Sequence, residues 1–422
     1  MSESYLRFIL SLRSYVLSQD PRICQSLSFL DHIKDLSSLP DYNEQGLLEK
    51  YPPLQILQQG DQLPNIEEWS AIATAYCLLI SDLKHLKFMG TISHSAELVN
   101  QIVRCAQRET GWICLPMMTV TSELRKLVFI YVQSSEYKAA KEHKLKQSQF
   151  DVYLDEKLAN LLQKPFKVCL SDKCEDKKFA VYFFANELFK TYMKFGKYDA
   201  ANNMCKVFQH SPNLPDLSTV SKSQVITYRY FMALVECMNF DRLQSATQLL
   251  NQALDACKTG DKYHHNQKAS ILVLLLPLNF LAHRWLPSSM LWKQYPELSL
   301  AFKSIFDSIK EGNLKVFDEE VTRMQKMMLE RHVYSLFIRI RPFIELRLFT
   351  KVHHFYKGEK PHIIPLSQFS SALKYSSSRD YTIEEVESRL ASLIYAGQIK
   401  GYISHSNEVI VLSKSDAFPS TM

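Results

Sequence analysis

Hydrophobic positions recur at helical spacing through most of this chain, and the pattern changes character only near its end. Over residues 5–37 the spacing of Leu6, Ile9, Leu10, Leu12 and Val16 predicts one or two short helices. From Leu39 to Glu68 the period dissolves among Pro40, Pro52, Pro53 and Pro64, which predicts a loop or irregular surface arm. Helices are then expected over Trp69–Lys87, Ser95–Arg108, Leu115–Lys138 and Tyr153–Val168. The charged stretch Lys138–Gln149 reads as a solvated helix end or linker. The run Ile271–Leu281 is apolar but only eleven residues long and broken by Pro277 and Asn279, so it reads as a buried helix and not as a bilayer span. A last scaffold helix is expected from about Thr322 to Tyr356, with Val333, Leu336, Phe337, Ile340, Phe343, Ile344 and Leu348 turned to the core. Pro342 lacks an N–H and should kink that helix or split it.

From Phe179 the helices come in a loose repeat. Phe195–Ala201, Met238–Ala246 and Lys310–Phe317 each join two apolar-periodic runs through small or turn-forming residues, as stacked helical hairpins of the tetratricopeptide kind do. The ending differs. Leu366–Tyr375 predicts a short helix with Phe369, Ala372 and Leu373 inward. Thr382, three residues before Glu385, is a capping box that starts a second helix with the stripe Ile383, Val386, Leu390, Leu393 and Ile394, and Gly397 ends it. Ile399–Ile403 and Val409–Leu412 then alternate around Ser404–Asn407 as a hairpin, and Ile363-Ile364 supplies a third strand. Two helices and a hairpin in this order make a winged helix. The expected fold is therefore all-α, a solenoid of helical hairpins ending in a winged-helix module with a small sheet. The expected divisions are residues 1–110, 111–330 and 331–422.

Composition narrows the function. Only ten glycines occur in 422 residues and no two lie within two positions of each other, which removes Gly-rich phosphate loops. Nine cysteines are scattered with no Cys-x-x-Cys spacing, so neither a zinc site nor a disulfide framework is expected, and the usage fits a reducing compartment. The start has no basic segment followed by an uninterrupted apolar run, so no signal peptide is expected. His264-His265 and His353-His354 are adjacent pairs that point to different sides of a helix, and no hydrolase or metalloprotease motif occurs. The expectation is no catalytic residue, no metal, no cofactor and no membrane insertion.

Of the net charge of +6, four units lie between Arg331 and Met422. Arg347, Lys351 and His354 share one helical face, Lys357 and Lys360 follow in a loop, and Lys400, His405 and Lys414 decorate the wing. Together they form either a positive patch for phosphates without base specificity or a solvated face. Groove reading by the second helix is disfavoured, because it opens with Glu384, Glu385 and Glu387 and offers only Arg389. Those acids suit the positive end of the helix dipole instead. Ile399, Tyr402, Ile403, Val409 and Val411 are candidates for a partner interface on the wing.

Helical repeats flowing into a terminal winged helix resemble the PCI domain family of proteasome-lid, signalosome and translation-initiation subunits. The segments Leu393–Gly397, Lys400–His405, Val411–Lys414 and Phe418-Pro419 resemble the endings of its mRNA-export and signalosome members. Asn186–Lys190, Tyr228–Tyr230 and Arg347–Val352 extend the resemblance over roughly residues 110–419, with the PCI domain at roughly 179–413. The resemblance implies a non-catalytic scaffold subunit, nuclear and also cytoplasmic, of a transcription-coupled mRNA-export complex. It implies a larger PCI-domain partner, a small acidic disordered subunit shared with the proteasome lid, and RNA or DNA bound on paired winged helices. The alternative is a signalosome-associated scaffold acting only through protein contacts. The basic positions it matches are Arg347, Lys351 and Lys400, and Thr350 stands where family members often carry another basic residue.

Overall fold

A computed structural model describes residues 3–419 except 31–38, 41, 43–45, 61, 136, 138–147, 213, 259 and 261. The chain divides into two compact units, Met1–Phe231 and Met232–Met422.

In the first unit, α1 (Glu3–Leu17) is followed by one-turn helices Leu47–Lys50 and Pro53–Leu57 inside the expected arm. Long helices then follow in chain order: α2 (Ile66–Lys84), α3 (Phe88–Ala106), α4 (Cys114–Gln133), α5 (Ser148–Leu170), α6 (Val181–Lys194) and α7 (Tyr198–His210). Helix α3 begins about two turns before the expected Ser95, because only His85, Leu86 and Lys87 separate it from α2, with Leu86 in a left-handed conformation. Most of the expected linker Lys138–Gln149 lies outside the described residues. Trp69, fully buried on α2, stacks on Trp112 at 5.9 Å. Buried charge is paired: Arg125 on α4 meets Glu187 on α6, and Glu123 accepts hydrogen bonds from the Ser28 hydroxyl and the Phe29 N–H at 2.6 and 2.8 Å.

Helix α8 (Lys222–Glu236) straddles the division. The second unit continues with α9 (Leu243–Ala256), α10 (Lys262–His283), α11 (Ser289–Gln294), α12 (Pro296–Glu311), α13 (Leu314–Glu330) and α14 (Tyr334–Phe355). Helix α10 carries the apolar run as a buried helix that passes through Pro277.

The single helix expected over Thr322–Tyr356 is two helices. The break falls at His332, which adopts φ +59°. The Val333 N–H donates to the Met328 carbonyl at 2.9 Å and the His332 N–H to Leu329 at 3.1 Å, a Schellman stop with histidine where glycine is usual. Val333 is fully buried just after it, which anchors the turn. Pro342 does not divide α14. It lies exposed, while Leu336, Phe337 and Ile340 before it and Ile344 and Phe349 after it are buried and hold the helix on one line of core contacts.

The winged helix forms as its signals require. Strand β1 (Ile363–Pro365) leads into α15 (Leu366–Ser377), then α16 (Ile383–Tyr395), β2 (Gly401–Ser404) and β3 (Val409–Leu412). The sheet order is β1-β3-β2, both pairs antiparallel. The Thr382 hydroxyl accepts from the Glu385 N–H at 3.3 Å while the Glu385 carboxylate accepts from the Thr382 N–H at 3.2 Å, the reciprocal capping box. Gly397 at φ +70° closes α16, with the Gln398 N–H on the Leu393 carbonyl at 2.9 Å.

One junction ties this module to the helices before it. The α12–α13 turn is Gly312 at φ +70°, and a Cβ there would lie 3.2 Å from the Leu348 backbone nitrogen of α14. The buried Ser376 hydroxyl of α15 donates to the Gly312 carbonyl at 2.7 Å and accepts from the Leu314 N–H at 2.8 Å. Gly312→Val adds both backbone strain and a clash, and is expected to destabilise the second unit by about 1–3 kcal/mol. Ser376→Ala leaves two buried backbone groups unpaired and is expected to cost about 1–3 kcal/mol. Denaturant titration of the full chain measures both, and unchanged midpoints would contradict this account of the junction.

Candidate protein and nucleic-acid interface

Register assigns the two faces of the small sheet. Ile410 and Leu412 are buried, so their face meets α15 and α16. Ile403 pairs with Ile410 and lies on that inner side. The opposite face carries one row of Ile363, Val411 and Tyr402 and a second of Pro365, Val409 and Ser404. Tyr402 is 63% exposed and the apolar neighbours in these rows are half-buried. Of the five wing positions expected at a partner interface, Tyr402, Val409 and Val411 therefore share this outer face. Ile399 does not, being 1% exposed in the core, and Ile363 joins the face from β1.

The basic positions separate by what they already bind. The Arg347 Nε donates to the Lys310 carbonyl at 3.2 Å and the Lys351 Nζ to the Glu311 carbonyl at 2.8 Å. Both side chains thus satisfy the last carbonyls of α12 and complement its negative end. Lys400 pairs with Asp416 at 2.7 Å. His405, at the hairpin tip, sits 2.9 Å from Glu387 of α16. His354 is exposed with its ring edge against Phe355 at 5.2 Å. Lys357, Lys360 and Lys414 are exposed. The Leu412 N–H donates to His362 and the Ser413 N–H to Lys400, so Lys360, Lys400 and Lys414 gather at one end of the sheet and His405 lies at the other.

The acids at the start of α16 are engaged as well. Glu385 closes the capping box and accepts from Arg379 at 2.9 Å. First-turn backbone hydrogen bonding and the Thr382 hydroxyl hold the Glu384 carboxyl below its usual range. Arg389 turns inward to Glu345 of α14, which is buried and also accepts from Arg341 at 2.6 Å, and Arg341 forks onto both Asp318 oxygens at 3.0 Å. This network links α13, α14 and α16. Burial raises the Glu345 carboxyl above its ordinary value, with Arg389 and Arg341 opposing the rise.

Sequence reasoning missed two exposed aromatics, Tyr375 on α15 and Tyr395 at the end of α16, at 92% and 96% exposure. Both lie off the apolar stripes of their helices, which was the available signal.

Two predictions follow from these placements. Lys351→Met is expected to lower stability by about 0.3–1 kcal/mol through the lost helix-end interaction, read as a shifted urea midpoint; no shift would show that the contact to Glu311 is idle. For Glu345, a raised folded-state pKa contributes stability that is complete below the unfolded value of about 4.3 and is lost as pH rises through the folded one. The chain is therefore expected to lose stability across that window relative to Glu345→Gln, measured as unfolding midpoint against pH. Parallel profiles would contradict it.

The PCI domain profile matches residues 321–414, which take in most of α13, α14 and the winged helix. The chain is 32% identical to a protein called CSN12 homolog from Debaryomyces hansenii, over 94% of this chain and 97% of that one. It is 28% identical to COP9 signalosome complex subunit 12 of Eremothecium gossypii over 75% of this chain and 79% of that protein. It is 27% identical to PCI domain-containing protein 2 of Xenopus laevis over 87% and 88% respectively. A winged helix carried on helical hairpins, a matching domain profile and near full-length similarity agree: the chain belongs to the PCI domain family.

Proposed function

We propose that this chain is a non-catalytic scaffold subunit that joins a signalosome-like assembly by docking the outer face of its winged-helix sheet on another protein. The observation that carries this reading is the row Ile363, Val411 and Tyr402, apolar side chains held on the solvent side of a three-stranded sheet. Interfaces of this kind centre on apolar and aromatic anchors ringed by polar groups. Support comes also from the cations, since Arg347, Lys351 and Lys400 spend their hydrogen bonds within the chain. Two of the relatives are named for the signalosome or for its twelfth subunit.

A second reading, a nuclear mRNA-export subunit that binds RNA or DNA, draws on the exposed Lys360 and Lys414 at one end of the same sheet and on the exposed Lys357 in the segment before β1. It carries with it the larger PCI-domain partner, the small acidic subunit and nuclear location. Lysines of this kind would contact phosphates in a salt-dependent, sequence-independent manner.

Two variants separate the readings. Tyr402→Asp with Val411→Asp is expected to weaken association with signalosome subunits by about thirty-fold or more, the scale of a lost hot spot, with circular dichroism unchanged. Reversing Lys357, Lys360 and Lys414 to Glu is expected to leave that association intact. Affinity purification of each variant with quantitative mass spectrometry of named signalosome subunits reads both. Retained association in the first variant, or partner loss in the second, would favour the export reading instead.

A further inference from the structure

A charged concavity lies in the first unit. Helices α3 and α5 pack side by side, with Leu98, Val99 and Ile102 buried on one and Leu158, Leu162 and Phe166 on the other. Residues three and four apart share a helix face, so Asn100, Arg104 and Gln107 follow one another along α3 and just past its end, and Lys164 and Lys167 along α5. These two rows bound a cavity of about 310 Å³ with the buried Val103 in its wall. That is the lower end of the size range of small-molecule sites.

The lining is one-sided in charge. Arg104, Lys164 and Lys167 bring three cations and Asn100 and Gln107 two carboxamides, while among the described residues no carboxylate and no aromatic ring lines the cavity. The Lys164 Nζ donates to the Asn100 Oδ1 at 2.7 Å, a neutral acceptor. Arg104 and Lys167 are exposed and have no ion pair or hydrogen bond among the described residues. The cations next to them are committed, Arg108 to Glu68 at 2.6 Å and Lys177 to Asp172 at 3.2 Å.

Helix ends account for part of this. Arg104 and Lys167 stand in the last turns of α3 and α5, where a cation complements the helix dipole. In the second unit, Arg347 and Lys351 serve α12 by donating to its last carbonyls. Arg104 and Lys167 donate to no carbonyl among the described residues, so their N–H groups stay available to a ligand.

We propose that this cavity binds a small ligand carrying two phosphate groups on a compact polar body. A phosphoryl group carries about −1.5 to −2 charges at pH 7, so one phosphate or one carboxylate leaves cations unmatched and two phosphates neutralise all three. The planar fork of Arg104 suits bidentate contact with phosphate oxygens, and the two lysines add point charges. Asn100 and Gln107 both donate and accept, which fits further phosphate oxygens or ligand hydroxyls. Val103 and Val168 are the apolar side chains of the lining, too little surface for an acyl chain. Without an aromatic ring there is nothing to stack a base, which separates this ligand from single-stranded nucleic acid.

Isothermal titration of the full chain with inorganic diphosphate, inorganic phosphate and citrate, at low salt and without divalent cations, tests this. Diphosphate is expected to bind at least about ten times more tightly than phosphate, a difference of about 1.4 kcal/mol, more tightly than citrate, and less tightly as salt is raised. Arg104→Gln with Lys167→Gln keeps helix-forming side chains and is expected to weaken diphosphate by about ten-fold or more. Lys360→Gln in the second unit is expected to change nothing. Circular dichroism confirms folding, and Lys167→Gln alone serves as a milder variant expected to weaken binding by several-fold. Undetectable binding at millimolar diphosphate overturns the proposal. So does equal binding of phosphate or citrate, unchanged affinity in the folded variants, or tighter binding of a single-stranded oligonucleotide than of diphosphate.

Discussion

The turn between α12 and α13 is the point on which the C-terminal unit depends. Gly312, at φ +70°, brings that turn so close to Leu348 that a Cβ would lie 3.2 Å from its backbone nitrogen, and Ser376 satisfies the backbone groups on either side of it. Close approach of this kind fixes where α14 runs, and α14 in turn packs on α15 of the winged helix. Arg347 and Lys351 complete the arrangement from α14 by taking the carbonyls that α12 leaves unpaired. Two residues that the sequence places in a candidate phosphate patch each donate, in the folded chain, to the end of a neighbouring helix.

That assignment shifts the weight of the functional argument toward the sheet. An antiparallel sheet commonly packs one face on the core and leaves the other to solvent, and here α15 and α16 occupy the inner face. The other face must be polar, covered or used. Ile363, Val411 and Tyr402 make it apolar, and a scaffold subunit of a multi-protein assembly has a use for such a surface. The Arg341–Glu345–Arg389 network ties α16, which packs under the sheet, to α14 of the helical scaffold. Removing charge from that network would leave cations without partners, which is how such networks specify an arrangement without adding much net stability.

Much of this was legible in the sequence because the signals were local. The capping box at Thr382 and Glu385, the glycine stop at 397 and the alternation over Val409–Leu412 each act within a few residues, and each formed as read. The third strand was legible as well, since Ile363-Ile364 precede a helix start and need a partner. What escaped were features that depend on distant backbone. The partners of Arg347 and Lys351 are carbonyl groups, which no side-chain pattern reveals. His332 ends a helix in a conformation that glycine usually marks, so the break between α13 and α14 left no signature. Ile399 alternates like a strand residue but precedes β2 and turns into the core. Pro342, expected to kink or split the helix, does not split it: α14 runs on through it.

Hydrogen–deuterium exchange on the full chain, alone and within its purified assembly, tests the central claim most directly. Docking on the outer sheet face predicts new protection confined to residues 363–365, 401–404 and 409–412, unaffected by added RNA. Protection appearing instead over residues 356–362 and at Lys414, and only when RNA is present, would contradict it.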